Sequence, residues 1–133
     1  MTDLINLTLS DLVSKIKNKD ISSKELNEAY INRSNLSKHL NAFVHENFDN
    51  ALKKAKEFDS KPDFKKKLPG IPFAVKDLFC TKNVRTTASS KILNNFIPSY
   101  ESTVTKNIWD EGAILLGKLN CDEFAMGSSN ETS

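Results

Sequence analysis

A chain of 133 residues with 38% hydrophobic and 27% charged side chains is long enough for one ordinary domain and is not a disordered composition. Its 19 basic side chains against 17 acidic ones leave a net charge of +2, too even a balance to predict nucleic-acid binding from the field alone. No apolar run approaches a membrane span and Met1-Thr2-Asp3 lacks the start of a signal peptide, so a cytoplasmic protein is expected.

Thr8 with Asp11 resembles a capping arrangement ahead of Leu9, Leu12, Val13 and Ile16, whose spacing is helical; Lys17 to Asp20 ends that helix. Ser22 with Glu25 forms a better capping box, and Leu26, Ala29 and Tyr30 mark the buried stripe of a second helix to about Ser37. Leu40 to His45, centred on Phe43 and Val44, fits a short strand. Asp49 can cap a third helix carrying Ala51, Leu52, Ala55 and Phe58 on one face. Ser60 to Lys67 reads as a polar connector, with Lys65-Lys66-Lys67 as a solvated run.

The chain is organised around Leu68-Pro-Gly-Ile-Pro-Phe-Ala-Val-Lys76, closed by Asp77. Pro69-Gly70 signals a turn, and Ile71, Phe73 and Val75 then alternate with Pro72, Ala74 and Lys76 at the period of a strand. Pro72 cannot donate to a ladder and belongs at the strand's first residues or on an edge. The strand delivers Lys76 at its carboxyl end, where open α/β sheets tend to bind ligands. Two readings stand side by side. Lys76 is a solvated ammonium paired loosely with Asp77, or a proton-transfer group neutralised by burial against Leu78, Phe79 and Cys80.

Thr81 to Ser90 reads as a loop, followed by apolar anchoring from Ile92, Leu93, Phe96 and Ile97. Ser102 can cap a helix through Asp110 that buries Val104, Ile108 and Trp109 and stops at Gly112. Ala113 to Leu116 is an apolar strand bounded by Gly117. Strands alternating with helices at this spacing argue for an α/β fold with a largely parallel or mixed sheet.

Several patterns resemble sites and fail on their chemistry. Gly112 to Lys118 has the spacing of a phosphate-binding loop, yet Leu119 stands where a Ser or Thr must reach magnesium, and the intervening residues are themselves the strand. His39 and His45 have no metal-ligand constellation around them and read as surface or turn residues. Cys80 and Cys121 read as small buried residues, and Asp122 with Glu123 as capping or surface groups whose side chains diverge. Gly127-Ser128-Ser129 lacks the nucleophile-elbow pattern and reads as a loop able to line a pocket.

Five blocks in one order carry a resemblance: Leu68 to Asp77, Arg85-Thr-Thr-Ala88, Ser90-Lys-Ile-Leu93, Gly112 to Lys118, and Asp122-Glu-Phe-Ala-Met-Gly-Ser-Ser129. Together they closely resemble the amidase signature family, in the branch that serves tRNA-dependent amidotransferases; Leu119 and Cys121 stand where that branch usually has Thr and Met. The resemblance implies an α/β fold, the N-terminal part of the amidase signature fold, with a mixed central sheet flanked by helices. Residues 1–133 would be the N-terminal portion of a single amidase domain, 1–60 mainly helical and 68–133 the start of the sheet and pocket wall. It places Lys76 as the lysine of a Ser–Ser–Lys triad whose serines lie beyond Ser133, and Met126, Gly127, Ser128 and Ser129 near the glutamine pocket. The implied activity is glutamine hydrolysis supplying ammonia for converting Glu-tRNA(Gln) to Gln-tRNA(Gln), and in the same branch Asp-tRNA(Asn) to Asn-tRNA(Asn). The implied partners are the amidotransferase subunits B and C, misacylated tRNA and glutamine, with no membrane. No cofactor is expected in this chain, since ATP and magnesium serve the assembled complex. Being several times shorter than the family's members, the chain is expected to be inactive alone and marginally folded. A general amidase, or a non-catalytic product that only binds partner subunits, are the alternatives.

Overall fold

A computed structural model describes residues 4–133; the Met1-Thr2-Asp3 start lies outside them. Among the described residues four α-helices and three strands follow one another, with short 3-10 turns between them, as α1 (Leu9–Lys17), α2 (Ser23–Leu36), β1 (Phe43–Glu46), α3 (Phe48–Ser60), β2 (Pro72–Lys76), α4 (Thr103–Asp110) and β3 (Ile114–Leu119). The sheet order is β1-β3-β2, with β1 antiparallel and β2 parallel to β3, so the sheet is mixed. Both capping boxes form: the Thr8 and Ser22 hydroxyls accept from the backbone amides of Asp11 and Glu25, whose carboxylates in turn accept from the Thr8 and Ser22 amides. Each satisfies two of the amide donors that a helix start leaves open.

One core cluster joins α2, α3 and β3 through Ile31, Ala51, Ala55, Ile114 and Leu116; another joins α1, α2 and the start of β2 through Leu12, Ile16, Leu26 and Ile71. The Pro69-Gly70 turn is sunk between them. Gly70 has φ +67°, and a Cβ there would meet the Ser23 hydroxyl at 2.6 Å. The Gly70 carbonyl accepts from that same hydroxyl and from the Asn27 amide, which pins the entry to β2. Pro72 is the first residue of β2, and β2 is an edge of the sheet, as its missing donor requires.

Several expectations need correction. The strand expected over Leu40 to His45 begins only at Phe43, because Lys38–Leu40 forms a 3-10 turn closed by left-handed Asn41. Asp49 lies inside α3; Asn47 is the cap residue, and its side chain donates to the Leu115 carbonyl rather than capping. Ile92 and Ile97 are exposed and anchor nothing; that segment is held by the buried Pro98 and by backbone bonds from Asn83 to Pro98 and Thr86 to Phe96. The fully buried residue of α4 is Thr105, while Val104 is half exposed and Ile108 and Trp109 are partly buried. Finally, β3 does not stop before Gly117 but runs through it to Leu119. Gly117 is required inside the strand, since a Cβ there would lie 2.4 Å from the His45 carbonyl oxygen and 2.8 Å from the Phe43 ring.

Candidate functional site

Lys76 ends β2, in register with Leu119 at the carboxyl end of the parallel pair. Its side chain is exposed, and Leu78, meant to help bury it, is 42% exposed itself. The apolar flank expected around Lys76 therefore does not desolvate it within this chain. Nor is it paired with Asp77, because successive strand residues point to opposite faces. Pro72 and Ala74, on the face of Lys76, line a groove of about 530 Å³ together with Tyr30, Arg33 and Phe43.

The buried charge of this region lies on the other face. Asp77 and Lys118 are both wholly buried, with Asp77 Oδ1 facing Lys118 Nζ at 3.5 Å, an ion-pair separation too long for a good hydrogen bond. Lys118 Nζ instead donates to the Phe79 carbonyl and to Thr86 Oγ1, each at 2.7 Å. Burial pulls the Lys118 amine below the usual lysine range, and the Asp77 carboxylate opposes that pull. Asp77 Oδ2 accepts from the Thr87 hydroxyl, from the Thr87 amide at 3.0 Å and from the Ser89 amide at 3.4 Å. Its backbone is held too, the amide by the Leu119 carbonyl and the carbonyl by the Ala88 amide.

Ala88 and Ser89 are consecutive left-handed residues, φ 49° and 52°, a conformation that costs a non-glycine residue about 1–2 kcal/mol and needs support. The support continues beyond Asp77. The Ala88 carbonyl accepts from the Phe124 amide, Ser89 Oγ bonds Asn120 Oδ1 and the Cys121 amide, and Ser90 Oγ donates to Glu123. The 77–90 loop is thereby fastened to the segment leaving β3, at whose end Met126, Gly127, Ser128 and Ser129 are all exposed. Asp122 is buried at the root of that segment, not on the surface, and accepts from the Asn130 amide and from the amide and hydroxyl of Thr132. These bonds hold its carboxyl below the ordinary range, the Asn130 amide most of all. Gly127 packs onto it, a Cβ there meeting the Asp122 carboxylate at 2.3 Å.

Of the remaining candidates only Cys121 joins this arrangement, its amide and its Sγ both against Ser89 Oγ. His45 belongs to β1 and is half-buried, where burial first and Arg85 second keep its imidazole below the usual value. Cys121 is buried, but Cys80 is only partly so and contacts the Tyr100 hydroxyl at 3.3 Å. Among the described residues no cluster of three or more His, Cys, Asp or Glu could hold a metal, and no helix is long and apolar enough to cross a membrane. Sequence reasoning singled out Lys76 and missed the Asp77–Lys118 pair. The available signal was a lysine next to an apolar run, and a carboxylate directly after the other strand.

The family model described as Amidase matches residues 25–133. A relative from Pelagibacter ubique (strain HTCC1062), the A-subunit of a glutamyl-tRNA(Gln) amidotransferase, is 69% identical over the whole chain, and the chain covers 27% of it. One with the same name from Rickettsia bellii (strain OSU 85-389) is 54% identical, again over 100% of the chain and 27% of the relative. The chain thus spans about a quarter of the length of these curated relatives. Among solved structures, the native peptide amidase of Stenotrophomonas maltophilia aligns with TM-score 0.83 and 29% identity, over 96% of this chain and 27% of that one. A structure described by a vestigial protein complex and the evolutionary origins of an s-triazine catabolic enzyme aligns with TM-score 0.87 and 28% identity, over 95% and 29%.

Proposed function

The chain belongs to the amidase family, and on that premise we propose that it is the N-terminal portion of a glutaminase, the A-subunit of a tRNA-dependent amidotransferase. The observation carrying this reading is the 69% identity, over every residue of the chain, to a relative bearing that name. The α/β architecture, shared with a solved peptide amidase at TM-score 0.83 and an amidase family protein at 0.81, supports amide hydrolysis as the chemistry. In this reading the enzyme hydrolyses glutamine and passes ammonia to the B-subunit, which uses ATP and magnesium to amidate misacylated tRNA in the cytoplasm. A complex with subunits B and C is part of the same reading.

Lys76 is the base of the proposed reaction. A serine hydroxyl is a poor nucleophile at neutral pH and needs a partner to take its proton. A neutral lysine amine can do so through a bridging serine, then return the proton to the departing ammonia. A base must be neutral before it can take a proton, and in this reading groups packed over the exposed end of β2 supply the desolvation that Lys76 lacks within this chain. Met126 to Ser129, exposed and leaving the same end of the sheet, would form the glutamine-side wall and offer backbone N–H groups.

Lys76→Ala in the assembled enzyme tests this. Glutamine-dependent amidation should fall by about 10³-fold or more, the loss expected when a triad member is removed. Amidation from added ammonium should persist, because that step uses a separate site. Near-normal glutamine hydrolysis in this variant would remove Lys76 from the mechanism.

A further inference from the structure

The proposed chemistry gives the Asp77–Lys118 pair no task. It is nonetheless unlike the other ion pairs among the described residues: both its side chains are 0% exposed, whereas in each of the others both are at least 37% exposed. Surface pairs contribute little, and a buried pair is weak evidence of stability, since apolar residues of similar volume often serve as well. What the pair fixes is therefore the informative question.

It fixes the turn immediately after Lys76. Asp77 binds the Leu119 carbonyl and the Ala88 amide through its backbone, and the Thr87 and Ser89 amides and the Thr87 hydroxyl through its carboxylate. Lys118 holds the near side of the same loop through the Phe79 carbonyl and Thr86. The far side of the loop is the left-handed Ala88-Ser89 corner, which grips Phe124, Asn120 and Cys121 at the root of the Met126–Ser129 segment. One carboxylate thus lies on the path joining the end of β2 to the wall beyond β3.

We propose that Asp77, clamped by Lys118 and Thr87, is a positioning residue that sets Lys76 against the Met126–Ser129 wall during amide hydrolysis, touching neither substrate nor the transferred proton. This rests on the glutaminase reading of Lys76. A purely structural pair would instead change activity only as far as it changes the folded fraction.

The test uses the assembled enzyme with Thr87→Val, Thr87→Ser and Asp77→Asn, measuring ammonia release across a range of glutamine concentrations and circular-dichroism melting. Thr87→Val leaves both charges in place and guards against a misfolded Asp77→Asn. The expected result is a kcat about tenfold to a hundredfold lower in Thr87→Val at unchanged KM, as small misplacements cause. Thr87→Ser, which keeps the hydroxyl, should recover to within about twofold of the unaltered enzyme. The kcat of folded Asp77→Asn should fall at least as far as that of Thr87→Val, again at unchanged KM. Losses that track the folded fraction, or a raised KM at unchanged kcat, overturn the inference. Unaltered kcat in Asp77→Asn overturns this inference alone; no ammonia release from the unsubstituted enzyme takes the glutaminase reading with it.

Discussion

Replacing Lys118 by Met should destabilise the chain more than any comparable surface change, and the structure says by how much. Met fills nearly the same volume but removes the ammonium that serves Phe79, Thr86 and Asp77. Asp77, 0% exposed, keeps its Thr87 and Ser89 donors and loses its countercharge. Breaking a buried pair from one side costs about 3–5 kcal/mol, against the roughly 7–20 kcal/mol expected of a folded chain this long. Adding Asp77→Asn to Lys118→Met removes the stranded charge, and the Asn oxygen can still accept from Thr87 and Ser89. The double variant should therefore lie within about 2 kcal/mol of the unaltered chain, a strongly non-additive result. Asp77→Asn alone should cost less than Lys118→Met, because a buried lysine already pulled below its usual range can shed its proton. The sign follows: the folded variant holds fewer protons than the unfolded one between the lowered folded value and about 10.4, so its stability rises with pH across that window. Urea denaturation followed by circular dichroism at several pH values reads all of this. A Lys118→Met cost below about 1 kcal/mol, or singles that simply add, would refute the reasoning.

Two further outcomes follow from the same packing. Gly117→Ala puts a methyl 2.4 Å from the His45 carbonyl, so β1 must shift off β3; we expect a loss of about 1–3 kcal/mol and faster hydrogen exchange across Phe43–Glu46, and unchanged exchange there would count against the packing described. The Asp122 carboxyl is held below its ordinary value, so its contribution is intact above about pH 4 and is lost as pH falls through the lower folded value. Limited proteolysis should cut residues 126–132 progressively faster in that acid range, and Asp122→Asn should cut fast at every pH.

The helices were legible because their signals are local: two capping boxes and a 3.6-residue apolar period state where α1 and α2 begin and which faces they bury. β2 was legible for the same reason, through a turn, an alternation and a proline at its first residue. What sequence could not show were contacts set by distant chain. Gly117 looked like a stop because glycine weakens strands, whereas the crowding that demands it comes from Phe43 and His45 on a strand about 70 residues away. Ile92 and Ile97 looked like anchors because they are apolar, but the backbone there is already satisfied by Asn83 and Thr86 partners. Lys118 sits inside a false phosphate-loop pattern, and only the fold, which sets Asp77 3.5 Å from its ammonium, gives that charge a partner.

That placement bears on Lys76 through electrostatics. The proposed reaction needs an uncharged base, and a carboxylate about 4 Å from any amine, in surroundings of effective dielectric near 20, favours the ammonium by about 4 kcal/mol. Asp77 is adjacent in sequence and would be the obvious offender. Strand alternation turns it to the opposite face, and Lys118 together with the Thr87 and Ser89 amides absorbs its charge there. Among the described residues no carboxylate lies within ion-pair reach of Lys76. The neighbouring residue can thus anchor the loop at the end of β2 with its carboxylate engaged on the other face, by Lys118 and Thr87, and not by Lys76.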